Sequence, residues 1–247
     1  MVKYIEKIVS RGLSISRLEE TDFSINPYVG CEHCCIYCYA PCTLHINPED
    51  FCSKVFVKRN LPTVLDRELK KINGGHITIG TVTDAYQPAE KKYEITRKIL
   101  DVIRKRRKFD ISILTKSSLI TRDLEVLVEL HAEVGFTLIT LDDGVRKNLE
   151  PKSSPIKERI DALKKFSGLT RTYVFIGPSI PNITDPLYIM EELKDIADYF
   201  IVDKLRLRKD MAGKILGLLS LTTKELEEYN KKIKKEIKGL ENVYLEF

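Results

Sequence analysis

Six short β-rich runs alternate with longer helical patterns along this chain of 247 residues, and that alternation leaves few folds open. Strands are expected at 23–26, 76–82, 110–115, 133–140, 172–176 and 199–207. Helical spacing is read at 61–72, 90–108, 119–131, 155–166, 185–198 and 209–218. A last helix at 223–238 precedes a short strand near 243–246. In the second helix Ile95, Ile99, Val102 and Ile103 recur at three- and four-residue spacing with charges between them. Thr222-Thr-Lys-Glu225 has the form of a capping box opening the last helix. A strand that returns parallel to its neighbour needs a crossover helix, so the pattern is α/β with a parallel sheet. An open doubly wound sheet and a partial or full β/α barrel both satisfy it.

The cysteines carry the chemistry. All six lie between Cys31 and Cys52. A disulfide framework staples distant parts of a small secreted domain, so this clustering points to a local metal site in a reducing compartment. Cys31, Cys35 and Cys38 stand at the spacing C-x3-C-x2-C. Three thiolates from one loop can hold three irons of a 4Fe–4S cluster and leave the fourth iron open to a ligand. A zinc reading stays open beside it, because Cys31/Cys34 and Cys35/Cys38 are also two C-x2-C pairs. Those pairs abut without the usual intervening loop, which makes Cys34 and Cys35 awkward tetrahedral partners. On the iron reading Cys34 is a non-ligand, and Cys42 and Cys52 are ordinary buried thiols. Charge and hydropathy add only limits. The net charge of +5 permits a nucleic-acid partner without requiring one. No apolar run approaches the roughly 20 residues of a membrane helix, and the start lacks a signal-peptide core, so no membrane partner and a cytoplasmic location are expected.

The segment Asn26-Pro-Tyr-Val-Gly-Cys-Glu-His-Cys-Cys-Ile-Tyr-Cys-Tyr39 resembles the cysteine loop of radical S-adenosylmethionine (SAM) enzymes, in the spore photoproduct lyase-like branch. Further blocks match that branch in order. They are Ser53-Lys-Val-Phe-Val-Lys-Arg-Asn60, Gly80-Thr-Val-Thr-Asp-Ala-Tyr-Gln-Pro-Ala-Glu90, Leu114-Thr-Lys-Ser117, Thr140-Leu-Asp142 with Leu149-Glu-Pro151, Gly177-Pro-Ser-Ile-Pro-Asn-Ile-Thr-Asp185 and Leu205-Arg-Leu207. The resemblance spans residues 23 to 207 and implies a partial (β/α)6 TIM-type barrel, because the cysteine loop directly follows the first strand. It divides the chain into an N-terminal segment 1–22, a radical SAM core domain 23–207 and a C-terminal helical extension 208–247. It implies a 4Fe–4S cluster on Cys31, Cys35 and Cys38, S-adenosyl-L-methionine as cofactor, and an external electron donor of the ferredoxin or flavodoxin type. The branch's lyases return a hydrogen atom from a cysteine near the end of the second strand. Here that region reads Thr81-Val-Thr-Asp84, so repair of a thymine lesion is not expected.

Barrel sites lie at the C-terminal ends of the strands, which selects the remaining candidates. Lys116, after the third strand, is expected to pair the cofactor carboxylate, as the matching lysine does in the branch. Thr83 and Asp84 either bond the cofactor's amino or ribose groups or cap the following turn. Thr137 on the fourth strand is placed to reach the ribose, and Tyr37 and Tyr39 to line the adenine pocket. Gly177, Pro178 and Pro181 shape the loop after the fifth strand. Lys204, Arg206 and Arg208 share one face near the end of the sixth strand and suit an anionic substrate such as a nucleic acid, Arg206 also touching cofactor. The run Arg104-Lys-Arg-Arg-Lys108 ends a helix on the opposite side and is expected to stay solvated. Two other classes compete with the enzyme: a zinc-binding nucleic-acid interaction protein and an iron–sulfur electron carrier.

Overall fold

A computed structural model of the chain describes residues 2–16, 21–207 and 212–247. Two sheets organise it. The smaller has the order β1 (Lys3–Lys7), β5 (Lys54–Lys58), β4 (Tyr28–Val29), with β1 parallel and β4 antiparallel to β5. The larger begins at β2 (Leu13–Ile15), antiparallel to β3 (Phe23–Ile25). From β3 the strands run parallel in the order β6 (Gly75–Ile79), β7 (Phe109–Thr115), β8 (Glu133–Thr137), β9 (Thr172–Ser179), β10 (Tyr199–Lys204) and β11 (Val243–Glu246). The six strands read from the sequence are β3 and β6 to β10, each next to its sequence neighbour. The sheet keeps two edges, β2 and β11, so the barrel is partial. Fully parallel strands are covered on both faces, and accordingly Ile77, Ile79, Ile113, Val134, Phe136, Val174 and Ile176 are wholly buried.

The helices are α1 (Ala40–Leu44), α2 (Pro48–Ser53), α3 (Leu61–Leu69), α4 (Glu90–Tyr93), α5 (Ile95–Arg104), α6 (Leu124–Glu129), α7 (Asp143–Leu149), α8 (Ile156–Phe166), α9 (Pro186–Leu193), α10 (Ala212–Leu219) and α11 (Thr223–Ile237). The helix expected over 90–108 is broken. Glu94 takes a left-handed φ of 51°, and the Glu90 carboxylate turns back to accept the Thr96 and Arg97 N–H groups that open α5. The helix expected from 119 begins instead as a 3-10 turn, Ser118–Asp123, tied by Ser118 to Ser154 and Glu158. The capping box at Thr222 and Glu225 forms with both of its hydrogen bonds. The small sheet, α1, α2 and α7 were not legible in the pattern.

Candidate functional site at the ends of the parallel strands

The cysteine loop is delivered by a fixed path. Val29 leaves β4 into Gly30, whose φ of +94° turns the chain beneath β5. A Cβ at Gly30 would lie 2.3 Å from the Lys54 carbonyl oxygen, so no other residue fits there. Cys31 N–H then donates to the Phe51 carbonyl at 2.9 Å. On its other side the loop is held by the turn after β6. Thr83 Oγ1 and Gln87 Nε2 donate to the Gly30 carbonyl at 2.8 and 3.0 Å, and Gln87 Oε1 accepts Glu32 N–H at 3.0 Å.

Asp84 is the hub of that turn. Its carboxylate accepts from Tyr86 N–H at 2.8 Å, Thr115 Oγ1 at 2.7 Å and Lys116 N–H at 2.8 Å, and stands 3.2 Å from His33 Nδ1. Burial raises its carboxyl, but His33, Lys116 N–H and Thr115 outweigh that and hold it well below the usual range. Thr83 and Asp84 lie past the strand rather than at its end, because β6 stops at Ile79 and Gly80 turns the chain. Thr83 spends its hydroxyl on the loop, while Asp84 spends its carboxylate on Tyr86 N–H in its own turn, on the end of β7 and on His33 of the loop.

Cys31, Cys35 and Cys38 carry unbonded thiols, and the Cys38 N–H donates to the Cys35 carbonyl at 3.1 Å to close the turn between them. Burial pushes the Cys31 thiol up to about 12, and the neighbouring Asp84 and Cys38 add to this. Cys35 and Cys38 are raised for the same first reason. Cys34 departs from expectation. It adopts a left-handed φ of 53° and forms a disulfide with Cys52, with the two Cα atoms 5.1 Å apart. Cys52 is thus no ordinary thiol. The sequence pattern hides the pairing because α1 and α2 fold the segment between two cysteines 18 positions apart back against the loop.

The disulfide also tests which metal group the donors fit. Without Cys34 the two C-x2-C pairs of a zinc site lose a ligand. A zinc ion needs its sulfurs about 2.3 Å from one centre. Among the described residues, no three or more His, Cys, Asp or Glu side chains gather in that way. A cluster takes one thiolate per iron, and three thiols spread along one turn fit that demand.

Lys116 follows the end of β7. Its ammonium lies 5.9 Å from the Tyr37 ring centroid, and among the described residues it forms no ion pair. Burial opposes its charge, while Cys35, Glu150 and Asp84 more than offset this and raise it. Behind it Tyr37 and Thr137 meet two fully buried charged residues, Glu150 and Arg159, that sequence reading did not single out. Tyr37 donates its hydroxyl to Glu150, and Arg159 Nη2 meets Glu150 Oε2 at 2.6 Å. Arg159 Nη1 donates to the Thr137 carbonyl at 3.0 Å, whereas Thr137 Oγ1 is buried without a partner. Glu150 fell inside the Leu149-Glu-Pro151 block, the one signal that marked it.

The other candidates lie at the rim. Tyr39 is 47% exposed and donates to the Thr81 carbonyl at 2.6 Å. Gly177 and Pro178 belong to β9, which runs three residues past its expected end at 176. Arg206 follows β10 and is held by Asp203 at 3.0 Å and the Glu246 carbonyl at 2.8 Å. Lys204 ends β10, and Arg208 lies outside the described residues. At the ends of β8 and β9 an opening of about 330 Å³ is lined by Thr140, Asp142, Asp185 and Tyr188. The helix-end basic run stays at the surface as expected, Lys105, Arg107 and Lys108 being exposed, and its arginines are also paired: Arg104 and Arg107 share Glu129, and Arg106 meets Asp66.

Comparison with known proteins agrees with this geometry. Residues 25–202 match the radical SAM superfamily profile. An uncharacterized protein of Methanocaldococcus jannaschii is 35% identical over 211 residues, covering 84% of this chain and 79% of its own. An uncharacterized Mycobacterium tuberculosis protein is 32% identical over 66% of this chain, which spans 51% of that relative. Among solved structures, spore photoproduct lyase complexed with dinucleoside spore photoproduct superposes with a TM-score of 0.73 at 14% identity, covering 99% of this chain and 82% of that one. Streptococcus suis SuiB bound to precursor peptide SuiA gives 0.58 at 17% identity, covering 91% and 48%. At these identities the two structures establish a shared fold only.

Proposed function

This chain belongs to the radical SAM superfamily and is an enzyme, and from that premise we propose that Cys31, Cys35 and Cys38 hold a 4Fe–4S cluster used to cleave S-adenosylmethionine. The observation that carries the reading is the set of three unbonded thiols on one turn beside a lysine with no ion-pair partner. When bound, the reduced cluster supplies the electron that splits S-adenosylmethionine into methionine and a 5′-deoxyadenosyl radical, which takes a hydrogen atom from substrate.

The chain's own residues divide the remaining work. Lys116 presents a charge-assisted donor for the cofactor carboxylate, and Tyr37, fixed by Glu150, packs beneath its ammonium. Thr137 Oγ1 is a free polar atom for the ribose. Thr83 and Gln87 hold the Gly30 carbonyl of the loop and Asp84 holds His33 and the Lys116 backbone, so these three position the site rather than touch cofactor. Tyr39 and Arg206 are both half-exposed and stand at the rim of the pocket. The cluster would need an external electron donor of the ferredoxin or flavodoxin type, and Lys204 at the end of β10 would suit an anionic substrate. The absence of a cysteine in Thr81-Val-Thr-Asp84 argues against thymine-lesion repair.

The test is metal analysis of anaerobically prepared protein. About four irons per chain are expected, lost in Cys31→Ala, Cys35→Ala or Cys38→Ala and retained in Cys42→Ala. Stoichiometric zinc without iron–sulfur absorbance would return the chain to the zinc-binding class. A full cluster with no affinity for S-adenosylmethionine would make it an electron carrier.

A further inference from the structure

A basic surface on which three of four lysines have no ion-pair partner among the described residues lies on the outer face of the small sheet. Alternate residues of a strand share a face, and the parallel register sets Lys3, Ile5 and Lys7 of β1 beside Lys54, Phe56 and Lys58 of β5. The opposite face carries Val55 and Val57, both wholly buried, so the lysine face is the outer one. Lys7 Nζ lies 6.0 Å from the Phe56 ring centroid. Lys54 is paired with Asp50 at 2.8 Å, but among the described residues Lys3, Lys7 and Lys58 form no ion pair. Burial and the neighbouring charge of Lys7 lower the Lys58 amine. Four lysines against the one carboxylate of Asp50 leave this face with an excess of positive charge, which invites an anion. Several arginines elsewhere already have carboxylate partners: Arg104 and Arg107 share Glu129, Arg106 has Asp66 and Arg206 has Asp203.

A groove of about 470 Å³ runs between this face and the α1–α2 connection; Lys7, Lys54, Phe56, His45 and Asn47 line it, as does Asp50, whose carboxylate is taken up by Lys54. It reaches Gly30, the residue before the first cysteine of the loop. The face is three strands wide, about 10 Å. Its centre is apolar and aromatic, with Phe56, Ile5 and Val29, and its ends are lysine.

We propose that this face binds a single strand of nucleic acid, with phosphates on Lys7 and Lys58 and a base against Phe56. An aromatic ring between cations is the arrangement that unpaired bases and their backbone satisfy together. A duplex keeps its base faces stacked, and an acidic peptide offers no flat ring surface. The inference rests on the proposed function only for the class of substrate that the enzyme handles.

The test is fluorescence anisotropy of the full chain with a labelled single-stranded oligonucleotide of mixed sequence across a salt series. Lys7→Gln/Lys58→Gln should weaken binding roughly tenfold or more and reduce the slope of log affinity against log salt by about 1.4, which is two phosphates. Phe56→Leu, which keeps most of the packing volume, should weaken binding about fivefold without changing the slope. Arg104→Gln/Arg107→Gln removes the same charge elsewhere and should change affinity less than twofold. Unchanged affinity and slope in the Lys7/Lys58 variant would overturn the proposal. So would polyglutamate binding as tightly as the oligonucleotide, or sedimentation showing that this face closes a dimer of the chain. S-adenosylmethionine cleavage is measured on the same samples. Lost cleavage with intact oligonucleotide binding defeats the radical reading and leaves this surface standing. Intact cleavage with lysine-independent binding does the reverse.

Discussion

Glu150 is a carboxylate with no access to water, and its neighbours decide whether it stabilises or destabilises the chain. Burial works to raise its carboxyl, but Arg159, Lys116 and the Tyr37 hydroxyl prevail and hold it below the usual range. A carboxyl lowered by folding contributes stability that is present above its unfolded value, about 4.3, and is lost as pH falls through the lower folded value. Glu150→Gln should therefore flatten the loss of stability between about pH 5 and pH 3. It should also cost about 3–5 kcal/mol at neutral pH by leaving Arg159 buried and unpaired. Urea midpoints of the metal-free chain across that range measure both. Lys116→Ala should weaken S-adenosylmethionine binding roughly tenfold or more while iron content stays full, since a charge-assisted contact is lost and no ligand is. Unchanged affinity would remove Lys116 from the site. The sequence located Lys116, the three cysteines and Thr83-Asp84 because strand ends and spacing mark them. It did not show that Asp84 faces inward to His33, Thr115 and Lys116 N–H, since that geometry exists only once three separate segments meet.

Elements show the same division. Strands β3 and β6 to β10 were legible because buried parallel strands are short apolar runs between helices. The small sheet was not: β1 (Lys-Tyr-Ile-Glu-Lys) and β5 (Lys-Val-Phe-Val-Lys) are short, largely apolar cores between lysines with no helix pattern to bracket them, and β4 has only two residues. Helix breaks also escaped, because Glu90 is an ordinary helix former that here caps the next helix. Gly30 is the joint between the small sheet and the cysteine loop. Gly30→Ala would force a positive φ on a residue with a Cβ and drive that Cβ into the Lys54 carbonyl. A loss of about 1–3 kcal/mol is expected, with incomplete iron loading, because relief of the clash moves Cys31 away from Phe51. Full stability and full iron content in that variant would contradict this account of how the loop is delivered.

At the scale of the molecule, a parallel sheet with edges at β2 and β11 gathers the cysteine turn, Lys116 and Thr137 at its C-terminal rim. No helix of the described residues is long and apolar enough to cross a membrane. The alternation of strands and helices made the sheet readable. The Cys34–Cys52 pairing was unreadable, because it depends on how two short helices fold back over the loop. Cys52→Ser should keep the iron, since the pairing takes up a cysteine outside the ligand set; iron lost in that variant would bring Cys34 or Cys52 into the set. The central claim concerns what the three remaining thiols do together. Its most direct test is to reconstitute the chain anaerobically with iron and sulfide, reduce it, add S-adenosylmethionine and quantify the products. The account predicts 5′-deoxyadenosine and methionine in equal amounts, formed slowly without substrate and absent in Cys35→Ala. A fully loaded, reduced protein that leaves S-adenosylmethionine intact would contradict it.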